Sequence, residues 1–308
     1  MNQEAKRFLQ NLEENLKSNL INFNQLEKLI RYFAQHYKYT RSFYNIQLKE
    51  LIRARSEKLE CIEDACKEFN HVDKLSFLRK EYVKNWGRCN APKESVFYCG
   101  DANGVPIFEV KPQEGSYLVV STFVHNIKPE IDLILPVIGV KQIIDNIKDG
   151  LIVDLLKEYD IQSRKSNEEL IIDNHFAEWF MAVVELHPLG VRCYELTSIL
   201  YRIISEMHKD ANGLIYPSLA SKVSGVNIAL KTDYVERNLK VSRAFIYLVL
   251  SCDKELGTII LKPLKGSDKI HNDGMGQIEW NHSLEHYPNY ILDPKIPPKI
   301  LEFSHFTF

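Results

Sequence analysis

No stretch of this sequence is long and apolar enough to span a bilayer. The longest, Ile131 to Val140, is interrupted by Asp132 and Pro136 and falls well short of the roughly 20 residues a spanning helix needs. The N-terminal segment MNQEAKRFLQNLEENLK lacks the apolar core of a secretory signal, so a cytoplasmic protein without a membrane partner is expected. The six cysteines, Cys61, Cys66, Cys89, Cys99, Cys193 and Cys252, form no C-x-x-C pair and are spread thinly over 308 residues. That spacing speaks against a disulfide scaffold or a zinc ribbon, and free, mostly buried thiols are expected instead. The phosphate-cradling patterns Gly-x-x-x-x-Gly-Lys and Gly-x-Gly-x-x-Gly are also missing, so neither a P-loop ATPase nor a Rossmann enzyme is indicated. Charge of one sign is not in excess: 39 basic residues face 41 acidic ones, a formal charge of −2. No global field then draws the chain to nucleic acid.

What is present is the balance of a globular protein, with 45% apolar and 26% charged residues. Leu9, Leu12, Leu16, Leu20, Phe23, Leu26, Ile30 and Phe33 recur at spacings of three and four, which predicts one or two amphipathic helices within residues 1–50. That stripe suits packing on the rest of the chain or on a partner. From Leu51 the texture changes. Residues 95–99, 117–121 and 244–250 are short runs rich in β-branched and aromatic side chains and read as strands, whereas 143–159 and 197–208 have helical periodicity. The uneven interleaving predicts an α+β domain over 51–308 with an N-terminal helical extension over 1–50. Gly, Pro, Asp and His gather from Lys262 onward, including Pro288, Pro294, Pro297 and Pro298, and predict a loop-dominated tail.

Two blocks carry the chemistry. The first is Gly87-Arg88-Cys89-Asn90, then Val96-Phe97-Tyr98, then Phe108-Glu109-Val110. The second is Asn212-Gly213-Leu214-Ile215-Tyr216-Pro217-Ser218, followed by Gly225-Val226-Asn227. Together and in this order they resemble the signatures of the RES-domain family: a glycine–arginine turn, a tyrosine-bearing strand, a glutamate in the next element, and a Tyr-Pro-Ser strand with Gly-x-Asn soon after. Leu51-Ile52-Arg53-Ala54-Arg55 resembles the strand that opens the family domain, with Arg53 and Arg55 competing for one role and Arg53 preferred. The resemblance covers roughly residues 50–235. Two departures stand out: Cys89 occupies a position commonly aromatic or Met, and Asn103-Gly104-Val105-Pro106-Ile107 lacks the usual Thr-Ala.

The resemblance implies an ADP-ribosyltransferase-like mixed-sheet core and a toxin that depletes NAD by cleaving its nicotinamide–ribose bond. NAD is then substrate rather than cofactor, and a cognate antitoxin is the implied protein partner. The residue types suit that reaction. Loss of nicotinamide leaves an oxocarbenium-like ribose, which a carboxylate such as Glu109 can stabilise. Arg88 and Arg53 can hold a diphosphate bidentately, and Tyr98 combines an aromatic face with a hydroxyl. Ser218 and Asn227 can hydrogen-bond the ligand or orient Glu109; no His–Asp arrangement supports Ser218 as a nucleophile. Alternatives of other classes are an ADP-ribosyltransferase acting on a macromolecule and an inactive RES-like binding module. No metal site is expected: His282-Ser283-Leu284-Glu285-His286 spaces two histidines by four, but Ser283 stands where the zinc-peptidase pattern needs Glu.

Overall fold

The computed structural model describes residues 2–36, 43–100, 104–147, 151–162, 167–183, 186–218, 220–221, 225–253, 257–271 and 276–294. Chain order begins with helices α1 (Asn2–Lys17) and α2 (Phe23–His36), strands β1 (Phe43–Leu48) and β2 (Leu51–Glu57), and helices α3 (Ile62–Glu68) and α4 (Val72–Leu75). Then come β3 (Val96–Gly100), α5 (Val105–Glu109), β4 (Tyr117–His125), β5 (Ile131–Pro136), and helices α6 (Val140–Asn146), α7 (Leu151–Gln162), α8 (Asn167–Met181) and α9 (Arg192–Met207). The remainder is β6 (Gly213–Pro217), β7 (Val226–Lys231), α10 (Thr232–Asn238), β8 (Leu239–Cys252), β9 (Ile259–Ser267), and the short strands β10 (Lys269–Ile270), β11 (Ile278–Glu279), β12 (His282–Ser283) and β13 (Tyr290–Leu292). The chain is α+β. None of the described helices is long and apolar enough to cross a membrane.

Two compact units divide these elements. The first comprises Met1–Ile46, Arg79–Val96 and Leu133–Leu219 and is mainly helical. Its α2 begins with reciprocal capping: the Gln25 backbone N–H donates to Asn22 Oδ1 at 3.0 Å, and the Asn22 N–H donates to Gln25 Oε1 at 2.9 Å, which satisfies two donors a helix start leaves open. The apolar stripe predicted for residues 1–50 is turned inward within this unit. Leu9, Leu12, Leu16, Leu26, Ile30 and Phe33 are all buried, with α1 packed on α8 and α2 on α9. Leu20 departs from the stripe and is 70% exposed, because it sits in the turn between the two helices. Periodicity carried across a turn no longer describes one face.

That turn is gripped by Arg192 at the start of α9. Its guanidinium donates to Leu16 O at 2.8 Å, Asn19 Oδ1 at 3.0 Å and Ile21 O at 2.8 Å. One cation thereby ties the last turn of α1 to the segment that leads into α2. Arg192→Ala is expected to destabilise the chain by about 2 kcal/mol; a midpoint of chemical denaturation unchanged from the parent would contradict this role.

A second tie joins α1 to α8. The Trp179 indole N–H donates to Glu13 Oε1 at 2.5 Å, and His175 Nε2 lies 3.1 Å from the same oxygen. Burial alone raises the Glu13 pKa, but His175 and Trp179 outweigh it and hold the carboxyl below its usual range. A depressed carboxylate contributes stability that is complete above the unfolded pKa and lost as pH falls through the folded one. The α1–α8 contact is therefore expected to weaken in acid, beginning at the ordinary carboxylate range and extending below it. Glu13→Gln should flatten that acid limb of the tryptophan fluorescence profile, and an unaltered profile would count against the tie.

The second unit comprises Gln47–Leu78, Phe97–Asp132 and Ala220–Phe308. Its sheet runs β12-β9-β8-β4-β2-β3-β7, with β13 also on β9. A mixed sheet was expected; every register described in this sheet is antiparallel. Alternation along the strands divides the side chains between two faces. One face gathers Ile52, Ala54, Leu118, Val120, Phe245, Tyr247 and Leu261 under Ile107 and Phe108 of α5 and Leu284 and Leu292 of the tail. The opposite face carries Leu51, Arg53 and Arg55 on β2, with Phe123, Ser121 and Val119 beside them on β4, and α4 packs against these two strands.

The tail differs from the predicted loop. His282 and Ser283 pair with Gly266 and Lys265, and Tyr290 to Leu292 pair with Leu261 to Ile259. Both segments lie against β9, so it is not left as a bare edge. Strands of two or three residues give no sequence period, and pairing with β9 is what orders them. Asp273, Gly274, Pro297 and Pro298 lie outside the described residues.

Candidate functional site

The site is built around α5, a helix of only five residues. Its N-cap is Gly104, whose φ of +72° places it in the left-handed region that glycine adopts without a Cβ penalty. Pro106 follows in the first turn, where a missing N–H costs nothing. Val105, Pro106, Ile107 and Phe108 are buried and fix the helix on the sheet. Glu109 closes the helix and is partly buried. The element that follows the tyrosine-bearing strand is a helix, and the glutamate stands at its end, where the burial of its apolar neighbours aims the turn.

Asn227, on β7 and 6% exposed, donates from Nδ2 to Glu109 Oε1 at 2.7 Å. A short bond to an ionised acceptor is stronger than a neutral pair, and it holds the carboxylate in one orientation. Close packing brings the two elements together. A Cβ built on Gly225 would lie 2.2 Å from Val105 Cγ2, so α5 can approach the start of β7 this closely only over glycine. Gly225 is quoted in the second block, but its steric purpose could not be read from spacing.

Tyr98 lies on β3, next to β2 in the sheet, with Ile52 opposite Gly100. A Cβ on Gly100 would meet Pro106 of α5, so Gly100, and Tyr98 two residues earlier, belong to the α5 face. Phe97 belongs to the other face, where its ring meets Phe123 edge-on at 4.8 Å. Arg53 is also on that other face: its guanidinium lies 5.4 Å from the Phe97 ring and donates from Nη1 to Tyr98 O at 2.6 Å. Glu109, Asn227 and Tyr98 therefore share one side of the sheet, and Arg53 does not join them. Arg55 follows Arg53 on its face and pairs with Glu57 at 3.5 Å.

Arg88 and Ser218 belong to the first unit. Gly87 and Asn90 close the expected tight turn, the Gly87 N–H donating to Asn90 O at 2.9 Å. Arg88 donates from Nη2 to Ala182 O at 3.0 Å and lies 5.4 Å from the Tyr194 ring, while its Nη1 is buried without a hydrogen-bond partner. Burial pushes the neighbouring Cys89 thiol well above its usual pKa, against the opposing influence of Arg88, so it is a protonated core group rather than a nucleophile. Ser218 is fully buried beyond the end of β6. A hollow of about 470 Å³ at the end of α9, lined by Ile134, Glu206, Met207 and His208 among others, contains none of the six candidates. His282 pairs with Asp268 at 3.0 Å, and among the described residues no three His, Cys, Asp or Glu side chains gather as a metal site would require.

Comparison with protein-family profiles, with curated proteins and with solved structures finds no match.

Proposed function

We propose that this chain cleaves the nicotinamide–ribose bond of NAD and acts as a toxin or defence effector of the RES type. The observation that carries the reading is the hydrogen bond between Asn227 and Glu109, at 2.7 Å across 118 positions of sequence. Residues from two separate blocks meet there, in the pairing their proposed roles require. Glu109 would accept a hydrogen bond from a ribose hydroxyl and stabilise the positive charge that develops as nicotinamide departs. Asn227 would orient that carboxylate, and Tyr98, assigned to the same face, would pack on the sugar or the base. Arg88 is the proposed diphosphate ligand on the strength of the sequence block. The ADP-ribosyltransferase-like fold and a restraining antitoxin form part of the same proposal.

The acceptor of the ribose is tested by following NAD labelled in its adenine ring through incubation with the purified chain. The label is expected in ADP-ribose or, with phosphate present, in its phosphorylated product. Label recovered on protein or nucleic acid would replace this reading with a transferase.

A further inference from the structure

Arg88 is carried by a stretch with little regular structure: between the 3-10 turn Lys80–Tyr82 and β3, no residue lies in a helix or a strand. Where its guanidinium stands is therefore set largely by side-chain ties to the helices beneath. The Gly87–Asn90 turn is held at both ends. On its N-terminal side Trp86 packs on Phe23 of α2, with ring centroids 5.0 Å apart. On its C-terminal side the Ala91 N–H donates to Glu94 Oε2 at 2.9 Å, and Asn90 Nδ2 donates to Asn85 O at 3.3 Å and to Ala91 O at 3.2 Å. One residue of α9 reaches both ends. Arg202 donates from Nη2 to Glu94 Oε1 at 2.7 Å, and its guanidinium lies 5.5 Å from the Phe23 ring. Its Nη1 donates to Glu27 Oε2 at 3.2 Å, so the planar fork spans one carboxylate of α2 and one of the loop.

These charged groups are accessible, with side-chain exposures of 28% for Arg202, 23% for Glu27 and 41% for Glu94. Ion pairs as open as these add little to global stability. Their effect is local, because the segment they hold has no strand ladder or helix of its own to keep its shape. We propose that Arg202 is a positioning residue. Together with Glu27 and Phe23 of α2 it fixes both ends of the Gly87–Asn90 turn and so sets where Arg88 presents its guanidinium, which makes the N-terminal helices a working part of the substrate site. The inference rests on the NAD reading for what Arg88 binds, and on the geometry alone for how the turn is held.

Two measurements on the full chain, well below its melting temperature, test it: kcat and KM for NAD from nicotinamide release, and hydrogen exchange at the Gly87 and Ala91 amides. Arg202→Gln should raise KM about tenfold with kcat within about twofold of the parent, because losing a contact made equally in ground and transition states raises KM alone and a charged hydrogen bond is worth about that factor. The same variant should speed exchange at both amides about tenfold, as a local opening does. Glu94→Gln, a milder change at an accessible side chain, should move KM and exchange in the same direction, and it carries the test if Arg202→Gln fails to fold. In an Arg88→Ala background Arg202→Gln should lower kcat/KM no further, the coupling expected of a residue that acts through Arg88. The inference is overturned if the folded variants keep the parent's KM, if the Arg88→Ala and Arg202→Gln losses multiply, or if both amides exchange at the parent's rate. A parent that releases no nicotinamide defeats the NAD reading instead, and the exchange rates then decide the anchoring by themselves.

Discussion

Glu109→Ala is expected to slow nicotinamide release from NAD by at least about 10²-fold while leaving the chain folded. The carboxylate stands at the end of α5, and the apolar residues before it, not its own side chain, anchor that helix. The structural loss includes the charge-assisted hydrogen bond to Asn227, about 1.5–3 kcal/mol, against a total stability of roughly 5–15 kcal/mol for a typical protein. Glu109→Gln sharpens the comparison. Its amide oxygen can still accept from Asn227, so it should melt closer to the parent than the alanine variant, yet it lacks the charge that an oxocarbenium-like ribose needs and should be equally slow. Activity that tracked melting temperature across the two variants would make Glu109 a structural residue.

The next largest effect is expected at Gly225, which touches no substrate in this account. A methyl group there would come within 2.2 Å of Val105 Cγ2, and a β-branched side chain has little rotamer freedom with which to retreat. The helix itself must then give way. Gly225→Ala should cost about 1–3 kcal/mol as an overpacked contact. It should also slow turnover by roughly 10²-fold, because a displacement near 1 Å is enough to spoil a catalytic alignment. Asn227 is two residues from the substituted position and Glu109 four from Val105, so the hydrogen bond between them is what the shift would break. Val105→Ala removes the obstructing methyl groups. Placed in the Gly225→Ala background it should recover stability and turnover together, the non-additivity expected of two residues in contact. Independent, additive losses in the double variant would show that the close approach of α5 to β7 does not position Glu109.

The strands and longer helices were legible because their patterns are local. Val119 and Val120 in β4, the run Ala244 to Leu250 in β8, and the stripe from Leu9 to Phe33, Leu20 aside, lie in the predicted kind of element. The helical run 143–159 is divided, with α6 ending at Asn146 and α7 beginning at Leu151, because periodicity reports a face and not where one helix ends and the next begins. Helix α5 escaped for a different reason. Five residues make less than a turn and a half, too few to show a period, and its start depends on Gly104 in a left-handed conformation. Glu109 was picked out by its residue type and block, and the helix that carries it was not.

Arg53 marks another boundary of the sequence reading. Strand alternation does say that Arg53 and Ile52 face opposite ways. Which side α5 would cover depends on Ile52 packing with Ile107 and Phe108, contacts more than fifty positions apart that no local pattern contains. Likewise, Asn227 and Glu109 could be named separately from their blocks, but the 2.7 Å bond between them follows from the sheet order that places β7 next to β3. The resemblance supplied residues, and the folded chain supplied which of them share a face.

The central claim is chemical and is best tested by measuring free nicotinamide after NAD is incubated with the purified, unsubstituted chain, first without phosphate and then with it. The account predicts repeated turnover, with one nicotinamide appearing for each NAD consumed. NAD that remains intact in both buffers, in the presence of a folded chain, would contradict it.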